Sequence, residues 1–440
     1  MASSSSASPN PVLVKNEPVY DPEKDYAGGC YMKPRHIVVR GTHEEMGYEL
    51  AKIARSEYGV AALPKYTNAT YGTAHRAYME RNFPYMALYT KGVLSAFGLD
   101  EDDVEHDATQ VTYDFSSLPA GYEGKKDDVM DFNFCTFALL PVEKTEGNRV
   151  LAARNFDLFT MNLWKGLLGV PLDENDHGFM ERSVVIEKHP TDGGYKTILV
   201  GGMEMLCPWV DGMNEKGLYF TLLSDPYAIG KEGSPMSGGE MNGIAFQTLG
   251  PMILEKCSTV AEAKREILLN RVLFRFLTGH MVLVDASGDG TIFEIDVKTQ
   301  QYVFTDRKAG NPMFCTNHPV SSYPDPKSFP EYKPDQEMNT FLRMDRLNDI
   351  YHNKKDTAFV NKGEGPLVHE DAMAMMDTCH CAFVDNDIAQ CRDRERTVIN
   401  TAADLTKREI CVQFYVRDVE PIPGSNRMKD VMTKRYTFGF

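Results

Sequence analysis

Apolar residues at Met46, Leu50, Ile53, Ala54 and Tyr58 recur at helical spacing and predict one buried helix face. In front of them Thr42 and Glu45 form a capping box: the hydroxyl takes the amide three residues on and the carboxylate reaches back. A second helical stretch runs from about Thr73 to Phe97 and stops at Gly98, with Pro84 expected to kink or split it. The acidic run Asp100 to Glu105 suits another helix start, where negative charge complements the dipole. A short strand, His36 to Val39, precedes this mainly helical region.

After about residue 118 the pattern changes. Phe134–Val142, Val150–Asn155, Ser183–Lys188, Lys196–Gly201 and Gly217–Leu223 are apolar or alternating runs between Gly and Asn turns, and they predict antiparallel strands. The glycines of Asp211 to Leu218 (DGMNEKGL) predict a hairpin turn that aims the following strand. A helical block spans about Met241 to Val272, with Ser258 as an internal cap. Strands return at His280–Asp285, Thr291–Asp296, Gln301–Thr305 and Met313–Asn317. A helix from Pro334 to His352, a loop from Asn361 to Gly365, a helix from Glu370 to Thr378 and a strand pair, Arg396–Asn400 and Glu409–Arg417, close the chain. Such blocks predict an α+β architecture, with sheets packed together and helices outside.

Composition narrows the partners. A chain of 440 residues with 42% hydrophobic content can bury a sizeable core. Its longest apolar runs fall far short of the ~20 residues that span a bilayer, so no membrane is expected as a partner. Residues 1–34, biased to Ser, Pro and Asn at their start, predict a disordered tail and linker rather than a secretory signal. A net charge of −16 argues against nucleic acid and anionic membranes. Nine scattered cysteines without a signal suit reduced thiols and a cytoplasmic location. Neither a P-loop nor a dinucleotide fingerprint is present, and no cofactor is expected.

The candidate chemistry lies between Asp131 and Asp157. Two predicted strands flank the turn-like segment Glu143 to Asn148, so Cys135 on one can meet Arg154 and Asp157 on the other. A cysteine in an apolar run is ordinarily a small buried hydrophobe. Here Arg154 can favour a thiolate and Asp157 can orient a base. The nearest histidines, His106 and His177, do not suggest a local Cys–His pair, so the base must come from elsewhere. Cys379-His380-Cys381 with Cys391 invites a metal reading. Three adjacent side chains do not readily converge on one ion, and the paired C-x-x-C spacing of zinc sites is absent.

Eight stretches, in order, resemble the choloylglycine hydrolase and penicillin acyltransferase-like cysteine family of the N-terminal-nucleophile (Ntn) hydrolases. They are Gly41–Lys52, Cys135-Thr136, Arg154 to Asp157, Asp211 to Leu218, Val284 to Gly288 with Glu294, Thr316 to Pro319, Arg343 with Arg346, and Cys391 followed by Arg396 to Ile399. The resemblance implies a four-layer αββα sandwich. It implies self-cleavage between Phe134 and Cys135, giving an α-chain segment that stays bound as a non-covalent subunit and a β-chain, residues 135–440, that starts at the nucleophile. Residues 35–134 are then a helical pro-segment. The freed α-amino group serves as the base; its pKa of about 8 is close to that of a thiol, about 8.5. By the same resemblance Asp157 holds the α-amino group, Arg154 stabilises the thiolate, Asn317 donates its side-chain amide to the oxyanion, and Arg343 joins the electrostatic network. An oxyanion donor is worth roughly 3–4 kcal/mol.

The implied activity is hydrolysis or acyl transfer on a linear amide of an N-acylated small molecule, through a thioester on Cys135. Substrates of this kind include N-acyl amino acids, aminoacyl amines and penicillin-like amides. Two positions depart from the family pattern: Phe134 stands where glycine is frequent, and Ser224 stands where bile-salt hydrolases place Asn or Tyr at the oxyanion hole. Both keep open an alternative, an unprocessed, non-catalytic homologue that binds an acylated small molecule. His318, beside Asn317, is expected in the loop behind the site. Whether the chain forms a homo-oligomer stays open.

Overall fold

A computed structural model describes residues 12–113, 135–160, 177–225, 242–273, 279–296, 299–331, 339–353, 359–360, 364–382 and 395–440. Phe134 and Cys391 lie outside the described residues, as do the expected starts of two helices at Met241 and Pro334.

In chain order the elements are β1 (Leu13–Pro18), α1 (Pro22–Asp25), β2 (Arg35–Gly41), α2 (His43–Glu57), α3 (Ala69–Asn82), α4 (Pro84–Ala96), β3 (Cys135–Leu139) and β4 (Leu151–Phe159). There follow β5 (Val184–Pro190), β6 (Thr197–Gly201), β7 (Asp211–Asn214), β8 (Tyr219–Ser224), β9 (Ile244–Ala245), α5 (Phe246–Lys256), α6 (Val260–Leu269) and β10 (Val272–Leu273). Last come β11 (Gly279–Val284), β12 (Gly290–Ile295), β13 (Tyr302–Asp306), β14 (Met313–Cys315), α7 (Thr340–His352), α8 (His369–Asp377), β15 (Glu395–Asp404), β16 (Glu409–Pro421), β17 (Met428–Met432) and β18 (Tyr436–Gly439).

Two sheets face each other. One has nine strands in the order β1-β2-β5-β6-β7-β8-β11-β12-β13; the other has seven, β14-β3-β4-β15-β16-β17 with β18 paired to β16. They touch face to face where Phe137 stacks on Tyr219 at 6.5 Å between ring centroids. Helices α2, α5 and α6 cover the outer side of the first sheet, with α4 against α2; α8 covers the second and packs on α7. This is the αββα arrangement the resemblance implied. Strands covered on both faces read as continuous apolar runs. β15 obeys the rule in burial, being buried throughout, yet carries Arg396, Thr397, Asn400 and Thr401. Polar groups placed so deep are costly unless partnered, which marks this end of the sheet.

Several sequence expectations are corrected. Residues 12–34 are not tail: β1 pairs with β2, and Asp21 caps α1. The strand expected at His36 to Val39 is present as β2, which enters the first sheet beside β5 in parallel. Asp100 to Glu105 forms no helix. Instead the Asp100 carboxylate takes the Asp102 amide and that of Asp103 takes Glu105 and His106, local bonds that compete with a helix. Asp211 to Asn214 is a buried strand, not a turn; the turn follows it, with Gly217 at φ +85°. The cap of α6 is Thr259, whose hydroxyl accepts the Glu262 amide, while Ser258 bonds the Glu262 carboxylate. Pro84 sits at the first turn of α4, where its missing N–H costs nothing, and so separates α3 from α4. Among the described residues, no helix is long and apolar enough to cross a membrane.

Candidate active site

Cys135 begins β3 and pairs with Phe156 of β4 in an antiparallel ladder. The register places Asp157 one position past Cys135's partner, at the end from which an α-amino group on Cys135 would project. Arg154, two residues earlier than Phe156, turns into the space between the sheets. There its Nη2 lies 3.4 Å from Cys135 Sγ and donates to Leu222 O at 2.8 Å. The guanidinium also sits over the Phe156 ring, 4.5 Å from its centroid.

A buried cation of this kind needs a counter-ion, and Asp211 supplies it across the sandwich. Arg154 Nη1 is 3.6 Å from Asp211 Oδ2, and both side chains are fully buried. Thr401 of β15 and Tyr219 of β8 donate to the two oxygens of Asp211 at 2.7 and 2.8 Å. Removing one partner of such a pair costs about 3–5 kcal/mol. In the sequence Asp211 belongs to a predicted turn and to a family-resembling stretch, with no role of its own. A lone carboxylate at the head of a buried strand was the signal for it.

The other side of Cys135 is held by two residues distant in sequence. Asn317, just past β14, accepts the Cys135 amide N–H on Oδ1 at 2.8 Å. Arg343, from the first turns of α7, donates to Asn317 Oδ1 at 2.7 Å and to Thr136 Oγ1 at 2.9 Å, and also to the carbonyl of Cys135. The Asn317 side-chain N–H groups point to Ser224, 2.7 Å from its carbonyl and 3.1 Å from its hydroxyl. Cys135, Arg154, Asn317, Ser224 and Arg343 therefore form one connected set. Asp157 stands at the same strand end, its Oδ1 accepting from Thr397 Oγ1 at 2.6 Å. Its Oδ2 is buried with no hydrogen-bond partner among the described residues.

Electrostatics follow from depth. Burial pushes the Cys135 thiol up, and Arg154 and Arg343 work against that rise. Burial likewise raises Asp157 to about 6, against the Thr397 hydrogen bond and the nearby Arg343, His380 and Arg154 charges. Cys135 is only 3% exposed.

The histidine beside Asn317 is not a base for the thiol. The His318 ring stacks on Phe341 at 4.3 Å and bonds Thr340 Oγ1 at 2.9 Å. Burial, then the charges of His280 and Arg343, drives its pKa down to about 3. Arg346 points away from the site, to Thr378 O at 3.4 Å. The Cys379-His380-Cys381 side chains diverge: Cys379 meets Arg343 O, His380 meets Asp430 and Cys381 meets Glu395 O.

A comparison with curated proteins returned no match. Among solved structures, a mutant of conjugated bile acid hydrolase from Clostridium perfringens is 14% identical over 70% of this chain and 97% of its own, with a TM-score of 0.45. Penicillin V acylase from Agrobacterium tumefaciens is 19% identical over 64% and 82%, with a TM-score of 0.42. The family model for acyl-coenzyme A:6-aminopenicillanic acid acyl-transferase matches residues 144–414, well over half the chain and including Arg154, Asp157, Asp211, Asn317 and Arg343. The chain thus belongs to the acyl-coenzyme A:6-aminopenicillanic acid acyl-transferase family, within the cysteine Ntn hydrolases the sequence resembled.

Proposed function

We propose that the chain is an autoprocessed cysteine amidohydrolase or acyltransferase acting on a linear amide of an N-acylated small molecule. The observation that carries this reading is Cys135 at a strand start, with Arg154 on its sulfur, Asn317 on its nitrogen and Arg343 on its carbonyl. Among the described residues no histidine shares these contacts, so the base has to be generated, and cleavage of the Phe134–Cys135 bond generates it as an α-amino group. That amine takes the thiol proton, and Asp157 Oδ2 accepts its N–H. The thiolate attacks the amide carbonyl, and the leaving amine departs with a proton from the α-ammonium. Water or a second amine then resolves the thioester.

The tetrahedral oxyanion needs fixed donors. The Asn317 side-chain amide carries two N–H groups beside Cys135, now directed at Ser224. An oxyanion there would replace the weaker Ser224 Oγ contact. The alternative, an unprocessed binding homologue, draws on the burial of Cys135 and its raised thiol pKa.

The test is turnover by the processed protein on a panel of N-acyl amino acids, aminoacyl amines and a penicillin. At least one should be cleaved with a transient acyl adduct on Cys135, and Cys135→Ala should remove all turnover. Turnover that persists in Cys135→Ala would discard the assignment.

A further inference from the structure

β15 does not pair regularly with β4. Thr397 stands opposite Asp157, but the next partner pair is Ile399 with Phe156, so Val398 is an extra residue in the ladder. Counting back from Ile399, a regular ladder would set Val398 against Asp157 and Thr397 against Leu158. The bulge therefore exchanges an isopropyl group for a hydroxyl beside a buried carboxylate. Bulges re-aim side chains in this way next to active sites.

The direction of the resulting hydrogen bond is also determined. The Thr397 amide donates to Cys381 O at 2.8 Å. The Cys381 amide donates back to Thr397 Oγ1 at 2.8 Å. With an N–H already directed at that oxygen, the hydroxyl proton is left for Asp157 Oδ1, at 2.6 Å. Thr397 and Cys381 are fully buried, so water does not compete for these groups.

We propose that Thr397 is a positioning residue for the reaction: it occupies Oδ1 of Asp157 and leaves Oδ2 for the α-amino group of Cys135. This rests on the reading that the Phe134–Cys135 bond is cleaved. The titratable groups around the carboxylate are Arg343, Arg154, Cys135, Cys379, His380 and Cys381. Of these and their neighbours, Thr397 alone donates a hydrogen bond to the Asp157 carboxylate among the described residues. Removing it makes the ionised carboxylate less favourable, so the acid limb of the rate profile moves to higher pH.

The experiment compares the parent with Thr397→Val, Thr397→Ala and Thr397→Ser. Self-cleavage is followed by intact mass, and kcat/KM is followed against pH. The valine and alanine variants should lose about 10- to 100-fold in kcat/KM, as expected for one hydrogen bond to a charged group, and shift the acid limb upward. Serine should restore both. Two cuts of different size are read so that a folding failure in one leaves the other. Wild-type rates and an unmoved acid limb in Thr397→Val or Thr397→Ala would overturn the role of Thr397 alone. A parent chain that never cleaves would overturn this role together with the reading beneath it.

Discussion

Asp157 is buried close to two buried arginines, yet one of its oxygens has no hydrogen-bond partner among the described residues. A carboxylate held this way costs stability once it ionises. Its folded pKa, about 6, lies above the ordinary value of 3.8. The contribution is therefore fully present below the unfolded pKa and is lost as pH rises through about 6. In a Cys135→Ala background, Asp157→Asn should remove that loss. Denaturant unfolding should show the asparagine variant gaining roughly 3 kcal/mol on its parent between about pH 4 and about pH 8. A gap between the two chains that does not change with pH would contradict the assignment. The same residue shows what could be read beforehand. Cys135, Arg154 and Asp157 were legible because one hairpin carries all three. Asn317 and Arg343, 182 and 208 residues from Cys135, came only through family resemblance. Asp211 and Thr397 were missed as functional side chains. One acts across the gap between two sheets, and the other acts through a bulge that no periodicity announces.

At the level of elements, strong apolar periodicity was enough. The strands around β4, β5, β6, β8, β11 and β12 and the helices α2, α7 and α8 fall close to where the pattern puts them. Weakly patterned elements were not legible. β1 has the sequence LVKNEP and lies at a sheet edge, half exposed, so little apolar alternation is required of it. Asp211 to Asn214 contains the glycine and asparagine of a turn, but burial on both sides makes it a strand. The closest helix pair depends on glycine. A Cβ at Gly92 of α4 would lie 1.9 Å from Glu44 O, and one at Gly47 of α2 would lie 2.4 Å from Tyr89 O. Both obstacles are backbone, so neither can rotate aside. Gly92→Ala should destabilise the fold by about 3 kcal/mol, read as a lowered denaturation midpoint. An unchanged midpoint would mean that α2 and α4 do not cross so closely.

For the whole molecule, the position of the proposed cut matters more than its chemistry. The described residues before Cys135, 12–113, are built into the fold: β1 and β2 form one edge of the first sheet, β2 brings Ile37 and Val39 into the main core, and α2 brings Met46 and Leu50. Releasing that segment would uncover β5 and its apolar neighbours. Cleavage should therefore give two chains that stay together. Intact mass under denaturing and native conditions tests this most directly. Denatured, the purified protein should give two fragments matching residues 1–134 and 135–440. In native spectra the same sample should show both in one complex, and Cys135→Ala should give one uncut chain in both. A wild-type protein that stays a single 440-residue chain, with Cys135 unreactive to a thiol probe, would contradict the account.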